Sequence, residues 1–318
     1  MTESALTAAR PTTSPAAVAI RIRGLVKTYD GVRVVDGLDL DVMTGECFAL
    51  LGPNGAGKTT AIEILEGFRV RDSGEASVLG SDPAHGSRAW RARIGVVAQS
   101  TGDSLDLSVR EILDHFAVYH ANPRPTGELI AAVGLESKAK TRINGLSGGQ
   151  RRRLDVALGV QGQPDLLFLD EPTTGLDPQA RRQFWTLVEQ LKAAGTTIVL
   201  TTHYLDEAAH LADRVGVING GRIVEIAPPE ELGGRLRGTA TVSWLTDGHR
   251  EEITTTTPTA VLRDVLTRHS DGELSELSIY RPTLEDIYLS LIDNTATHTA
   301  ATHAAATHGT TPTAEDPS

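Results

Sequence analysis

The fold is decided by the stretch Phe48-Ala49-Leu50-Leu51-Gly52-Pro53-Asn54-Gly55-Ala56-Gly57-Lys58-Thr59-Thr60. Its apolar start predicts a buried strand, and the helix-forming residues 61–66 after it predict a helix. The glycines between them let backbone N–H groups curl around phosphate oxygens, and the helix N-terminus adds partial positive charge. The stretch is therefore predicted to be a phosphate-binding loop. In it, Lys58 would reach the β- and γ-phosphates of a nucleotide, and Thr59 would offer its hydroxyl to Mg²⁺.

The composition bounds the class of protein. Of the 318 residues, 40% are hydrophobic and 22% are charged, as in a soluble globular protein with one sizeable core and a smaller second one. No apolar run approaches the roughly 20 residues that span a bilayer, and residues 1–15 lack the order of a signal peptide. We therefore expect a cytosolic chain. The net charge of -11 argues against nucleic acid as a partner. The single cysteine, Cys47, is expected to be buried and inert.

Two further strands are predicted to end in residues that suit phosphate chemistry. The apolar run 166–169 ends in Asp170 and Glu171, and the β-branched run 196–200 is soon followed by His203. Asp170 suits contact with Mg²⁺, whereas Glu171 is positioned to polarise a water molecule. His203 can donate to a γ-phosphate, although without the phosphate loop it would be an ordinary loop histidine.

Other polar positions have a structural interpretation beside a functional one. Gln99 ends the predicted strand 94–98, where α/β sheets place ligand-contacting groups, but it is equally a solvated loop residue. Tyr29 precedes a turn and either faces an adenine ring or is a half-exposed structural tyrosine. Ser147 and the two glycines after it open a helix, as a second anion site or as a simple N-cap. Residues 151–153, all arginine, form a basic patch or, more commonly, a solvated or salt-bridged face.

The remaining patterns divide the chain into segments. Residues 1–17 are expected to be a disordered tail, 18–235 a nucleotide-binding domain, 238–292 a small α/β domain and 293–318 a disordered tail rich in Thr, Ala and His. Period-2 alternation predicts separate antiparallel strands at 18–25, 32–35 and 38–42. Residues 105–133 are predicted to be a helical insertion, broken once near its two prolines, and Asn219-Gly220 predicts a hairpin.

Taken together, these motifs resemble the nucleotide-binding domain of ATP-binding cassette (ABC) proteins over about residues 20 to 232. The most specific element is Leu146-Ser147-Gly148-Gly149-Gln150, here called the signature segment, which lies between a phosphate loop and an acidic strand. The resemblance implies a P-loop NTPase fold of the α/β class. Its parts would be a RecA-like core, an antiparallel β subdomain, a helical subdomain at about 103–163 and a small C-terminal α/β appendage.

The resemblance also implies ATP and Mg²⁺ as cofactors and assigns roles by position. The implied catalytic residues are Glu171, His203, Lys58 and Gln99, and the implied Mg²⁺ ligands are Thr59, Gln99 and Asp170. The implied nucleotide-binding residues are Tyr29, Gly52, Pro53, Asn54, Gly55, Ala56, Gly57, Lys58, Thr59, Thr60, Ser147, Gly148, Gly149, Gln150 and Asp177. Two copies would form a head-to-tail homodimer, in which the signature segment of one subunit completes the ATP site of the other.

A second resemblance concerns residues 280–289, Tyr-Arg-Pro-Thr-Leu-Glu-Asp-Ile-Tyr-Leu. They are similar to the C-terminal segment of drug-resistance exporter ATPases of the daunorubicin type, with Tyr288 in place of the usual Phe. This implies an ATP-hydrolysing subunit at the cytoplasmic face of the membrane, coupled to a separately encoded permease that exports drug-like or lipophilic compounds. The helical insertion and residues 100–108 would dock the permease. The alternative is a soluble ABC-type ATPase acting on ribosomes or nucleic acid. It predicts paired cassettes, a coiled-coil insertion or a basic surface, which the sequence lacks.

Overall fold

The computed structural model describes residues 17–98, 106–234, 238–246, 248–268 and 274–293. The chain divides into two compact units, residues 1–229 and residues 230–318, which are treated separately below. The predicted tails lie outside the described residues except for Ala17 and Asp293, and Gln99 also lies outside them. Among the described residues, no helix has both the length and the apolar character needed to span a bilayer.

The first unit alternates strands with helices, as a nucleotide-binding α/β domain does. Its strands are β1 Val18–Tyr29, β2 Val32–Met43, β3 Cys47–Leu51, β4 Ser73–Val78, β5 Ile94–Val97, β6 Leu166–Asp170, β7 Thr197–Thr202, β8 Arg214–Asn219 and β9 Arg222–Ala227. Its helices are α1 Lys58–Leu65, α2 Arg88–Arg91, α3 Val109–Ala117, α4 Thr126–Ala132, α5 Gly148–Val160, α6 Pro178–Ala193 and α7 Leu205–Leu211. The predicted P-loop NTPase fold is confirmed.

The main sheet has the strand order β5-β6-β7-β3-β8-β9 and is parallel except for the β8–β9 hairpin. Its central strands β3, β6 and β7 are buried along their whole length, and one of their faces shares a hydrophobic core with α1 and with strands β1 and β2. The order places β7 between β6 and β3, so the carboxyl ends of these three strands share one edge. Ligand-contacting groups gather at such edges in α/β sheets.

A second, antiparallel sheet has the order β2-β1-β4. The prediction of separate strands at 32–35 and 38–42 is wrong, because both belong to β2 and pair with β1. The pairing register shifts between Leu25–Leu38 and Val26–Asp36, next to Gly37, whose φ of 72° only glycine adopts easily. The interruption in the alternating pattern is therefore a bulge within one strand.

The helical insertion consists of α3 and α4, which pack against α5. As predicted, it breaks before Pro125, the residue that precedes α4. Helix α3 begins with a capping box, in which Ser108 and Glu111 each accept a hydrogen bond from the other's backbone amide. The side-chain amide of Gln161, at the end of α5, donates to the carbonyl oxygen of Leu113 at 2.7 Å. This buried bond ties α3 to α5.

The second unit is a small α/β domain, as predicted for the appendage. Strands β10 Ala240–Thr246, β11 His249–Thr255 and β12 Ser275–Tyr280 form a sheet in the order β11-β10-β12. Helix α8, Pro258–Arg268, packs Val265 onto Val242 and Trp244 of the sheet. A last helix covers residues 284–293.

The C-terminal motif around Thr283 has a structural explanation. The amide of Asp286 donates to the Thr283 hydroxyl at 3.2 Å, and the amide of Thr283 donates to the Asp286 carboxylate at 2.7 Å. This reciprocal pair is a capping box that starts the last helix. The helix then buries Ile287 and Tyr288. These residues of the motif therefore stabilise the appendage.

Candidate active site

The phosphate-binding loop lies between β3 and α1, where the sequence predicts it. Gly57 caps α1 with φ of 101°, and a Cβ there would lie 2.4 Å from the carbonyl oxygen of Val34. Only glycine fits this position. The loop borders a pocket of about 290 Å³ lined by Val34, Asn54, Gly55, Gly57, Lys58, Thr59, Thr60 and Glu171.

Lys58 supplies the positive charge of this pocket. The side chain is only 4% exposed. Its ammonium Nζ donates to the carbonyl oxygens of Gly52 at 2.9 Å and Pro53 at 3.1 Å. It also lies 3.5 Å from Oε1 of Glu171. The loop's own carbonyls thus hold a desolvated cation at the helix N-terminus, a combination that suits a bound phosphate.

Glu171 enters the pocket from the end of β6 on an unusual backbone. Its φ is 44°, in the left-handed region that residues with a Cβ rarely adopt. The amide donates to the Thr201 hydroxyl at 2.9 Å and the Thr201 carbonyl at 3.2 Å. Oε2 accepts from the Thr174 hydroxyl at 3.2 Å and lies 3.5 Å from Nδ1 of His203. The structure therefore brings three sequence-predicted residues together, since Lys58 and His203 both approach this carboxylate.

Asp170, one residue earlier, is buried at the same edge of the sheet. Its Oδ1 accepts a hydrogen bond from the Thr201 hydroxyl, which orients the carboxylate. Thr59 is exposed at the start of α1. Among the described residues, no group of three or more His, Cys, Asp or Glu could hold a metal. A hydroxyl and one carboxylate nevertheless fit Mg²⁺, which takes hard oxygen ligands and completes its shell with phosphate and water.

A neighbouring carboxyl is affected by this charge cluster. Glu66, at the end of α1, has its pKa raised to about 8, mainly because burial disfavours the charged form. The carboxylates of Asp170 and Glu63 raise it further.

The single cysteine, Cys47, is buried as expected, and burial raises the pKa of its thiol to about 12. A thiol held in this neutral form is a poor nucleophile.

The signature segment lies at a separate pocket. Ser147 is the N-cap of α5 and forms a capping box with Gln150, so its structural interpretation holds. Asp177 likewise caps α6 by accepting from the amides of Gln179 and Ala180 at 2.9 Å. A pocket of about 280 Å³ is lined by Ser147, Gly149, Gln150, Arg153, Asp177, Gln179, Ala180 and Gln183. Among the residues that the structure describes, none lines both this pocket and the pocket around Lys58.

Other sequence-predicted positions stay outside these pockets. The ring of Tyr29 lies 5.4 Å from Lys27 Nζ and 5.6 Å from the guanidinium carbon of Arg69. It does not line the pocket of Lys58, so its contact with adenine stays a prediction. Gln99 lies outside the described residues. Sequence reasoning missed Val34, which lines the pocket, and Thr201, whose hydroxyl contacts both acidic residues.

This chain is similar in sequence to known ATP-binding proteins. Residues 35–174 match the family model described as ABC transporter. Nod factor export ATP-binding protein I of Ralstonia nicotianae is 45% identical over 219 residues, which cover 67% of this chain and 68% of that protein. The daunorubicin/doxorubicin resistance ATP-binding protein DrrA of Streptomyces peucetius is 46% identical over 220 residues, with 67% and 66% covered.

Two solved structures share the fold of this chain. The structure of cbiO1 from Clostridium perfringens, part of the ABC transporter complex cbiONQ, has a TM-score of 0.61 and 29% identity. The match covers 68% of this chain and 90% of that one. A dimeric ATP-binding cassette, MJ0796, bound to ADP and Pi shares the fold at a TM-score of 0.60 and 22% identity, covering 66% of this chain and 98% of that one. On the sequence match and the site together, this chain belongs to the ABC transporter family and is one of its ATPases.

Proposed function

We propose that the chain is the ATP-hydrolysing subunit of an exporter that moves drug-like or lipophilic compounds through a separately encoded membrane permease. The names of its relatives, one for Nod factor export and one for daunorubicin/doxorubicin resistance, support export. The C-terminal motif supports the same class. The permease would hold the subunit at the cytoplasmic face of the membrane.

The observation that carries the chemistry is the position of Glu171 between Lys58 and His203, each 3.5 Å away. In this proposal Lys58 contacts the β- and γ-phosphates of ATP and offsets their charge. The Glu171 carboxylate orients a water molecule and takes its proton as the water oxygen bonds to the γ-phosphorus. The bond from that phosphorus to the bridging oxygen breaks at the same centre, and ADP leaves. His203 donates to a γ-phosphate oxygen. Mg²⁺, held by Thr59 and Asp170, would neutralise charge that develops on the phosphates.

The separation of the two pockets supports a head-to-tail homodimer. The signature segment begins a helix, and a helix N-terminus favours an anion. Its pocket does not include the chain's own phosphate loop, so the anion would be the nucleotide bound to a second copy. In this arrangement the nucleotide contacts both subunits, and its hydrolysis is coupled to dimer opening.

Exposed apolar side chains on the helical insertion support the proposal of a membrane partner. Val118 and Tyr119, at and just after the end of α3, are 76% and 60% exposed, and Phe116 beside them is 38% exposed. Large apolar side chains that cluster on a surface commonly mark protein contacts. The permease would dock against this part of the insertion. Residues 100–105 of the predicted docking segment lie outside the described residues.

Crosslinking tests the dimer. Ser147→Cys and Asn54→Cys would be combined in a Cys47→Ala chain, with Glu171→Gln added to preserve bound ATP. Asn54 is preferred to Gly55, because φ of 82° at Gly55 would strain a cysteine. We expect an intersubunit disulfide that depends on ATP and Mg²⁺. A control pair, Asn54→Cys with the exposed Glu128→Cys, should give none. Equal crosslinking of both pairs, or none in either, would contradict the dimer.

The transport role is tested with the adjacent gene product. If a membrane protein is encoded beside this chain, the two should purify together in detergent, and ATP hydrolysis by the complex should respond to drug-like compounds. The matched control is the same complex with Lys58→Ala. Purification only with ribosomes or nucleic acid would favour the alternative function.

A further inference from the structure

Arg152 of α5 differs from the two arginines that flank it. The sequence favours a solvated or salt-bridged face for residues 151–153, but Arg152 is only 8% exposed. Its guanidinium donates to the carbonyl oxygens of Pro172 and Asp170 at 2.9 Å each and to that of Ala98. The expectation is wrong for this residue, because its charge is taken up by backbone carbonyls of the sheet edge.

These carbonyls belong to the segments that carry the proposed chemistry. Asp170 and Pro172 are the residues immediately before and after Glu171, and Ala98 immediately precedes Gln99. A guanidinium is a rigid planar fork with five N–H donors, so it fixes several acceptors relative to one another. One side chain from α5 therefore holds the backbone carbonyls of both neighbours of Glu171.

The backbone of Glu171 needs such support. A left-handed residue with a Cβ persists only when its surroundings hold it in place, and such residues cluster at functional sites. Thr201 holds the amide of Glu171, and Arg152 holds the carbonyls of Asp170 and Pro172. The residue is thus fixed through its own amide and through both of its neighbours.

We infer that Arg152 is a positioning residue, which fixes the Glu171 carboxylate in the active site and ties its position to helix α5, whose N-cap is Ser147. The inference rests on the proposed role of Glu171. If α5 moves when the signature segment contacts a nucleotide, the Glu171 carboxylate moves with it. Hydrolysis would in this way depend on dimer closure.

The neighbouring arginines provide the control. Arg151 donates to the carbonyl of Ile143 at 3.3 Å, and Arg153 donates to the carbonyls of Val133 and Gly134 at 3.3 Å. These bonds stay within the helical subdomain. Arg151→Ala therefore removes the same type of side chain from the same helix without touching the sheet edge.

A double-mutant cycle tests the inference. Arg152→Ala and Arg151→Ala would each be made in the native chain and in Glu171→Gln, and single-turnover ATP hydrolysis measured with the protein in excess over ATP at a concentration that binds all of the ATP. In the native chain we expect Arg152→Ala to slow hydrolysis by about 10²-fold, as a displacement of about 1 Å does, with ATP affinity unchanged. In Glu171→Gln the same substitution should cost less than about threefold, because the group it positions is gone.

A merely structural role would give a different result. Equal losses from Arg152→Ala in the two backgrounds, or a loss no larger than that of Arg151→Ala, would overturn the inference. If Arg152→Ala does not fold, Arg152→Lys goes through the same cycle, since it keeps the charge but loses the planar fork. Turnover of Glu171→Gln at the wild-type rate would instead overturn the proposed role of Glu171.

Discussion

Replacing Thr201 by valine keeps the shape of the side chain but removes a hydroxyl with two buried contacts. That hydroxyl donates to Oδ1 of Asp170 and accepts from the amide of Glu171 at 2.9 Å. A hydrogen bond to a charged group contributes about 1.5–3 kcal/mol and a neutral one about 0.5–1.5 kcal/mol. We therefore expect Thr201→Val to lower the free energy of unfolding by about 2–4.5 kcal/mol.

The same substitution should also lower kcat, because both acidic residues lose a contact that orients them. The control is Thr197→Val, at the other end of the same strand. Thr197 is also fully buried, and its hydroxyl accepts one hydrogen bond from the amide of Gly45 at 2.9 Å. It should cost only about 1 kcal/mol and leave kcat unchanged. Urea denaturation and ATP hydrolysis of both variants measure these effects. Equal losses of stability and of kcat in the two variants would refute the reasoning.

Three other substitutions have defined outcomes. Lys58→Ala should weaken ATP binding and abolish hydrolysis, because a charge-assisted contact to phosphate is lost. An equilibrium binding measurement that gives the native ATP affinity for this variant would contradict the prediction. For Glu66 the folded-state pKa of about 8 lies above the ordinary value of 4.5, so the native chain loses stability as pH rises between these values. The Tm of Glu66→Gln minus that of the native chain should therefore increase from about pH 5 to about pH 9. A difference in Tm that stays constant over this range would contradict the raised pKa. Thr283→Ala should destabilise the appendage by about 0.5–2 kcal/mol through loss of the cap. Thr267→Ala, at an exposed position of α8 where the hydroxyl donates to the carbonyl oxygen of Arg263, should change little in the same unfolding assay.

Local chemistry explains which parts of the site the sequence predicts well. The phosphate loop needs glycines, a lysine and a following helix in contiguous order, so residues 52–60 are recognisable without a structure. Asp170 and Glu171 are recognisable because they end an apolar strand. The fold follows from the same alternation of apolar runs with helical segments.

The residues that the sequence did not reveal depend on contacts between distant segments. Arg152 reaches carbonyls at positions 98, 170 and 172, which lie on other elements. Thr201 resembles any β-branched strand residue until the strand order places β7 beside β6. Val34 reaches the pocket only because β2 passes the loop, where its carbonyl crowds Gly57. Burial and pairing, rather than residue type, identify these positions.

The most direct test of the central claim is single-turnover ATP hydrolysis by Glu171→Gln, measured together with ATP affinity. The amide keeps the shape of the carboxylate but cannot take a proton from water. We expect unchanged affinity and hydrolysis slower by about 10²–10⁴-fold, the usual range for a lost general base. The control is Glu63→Gln on α1, which alters a carboxylate that pairs with Arg69. This variant should hydrolyse ATP at the native rate. Native hydrolysis by Glu171→Gln would contradict the account.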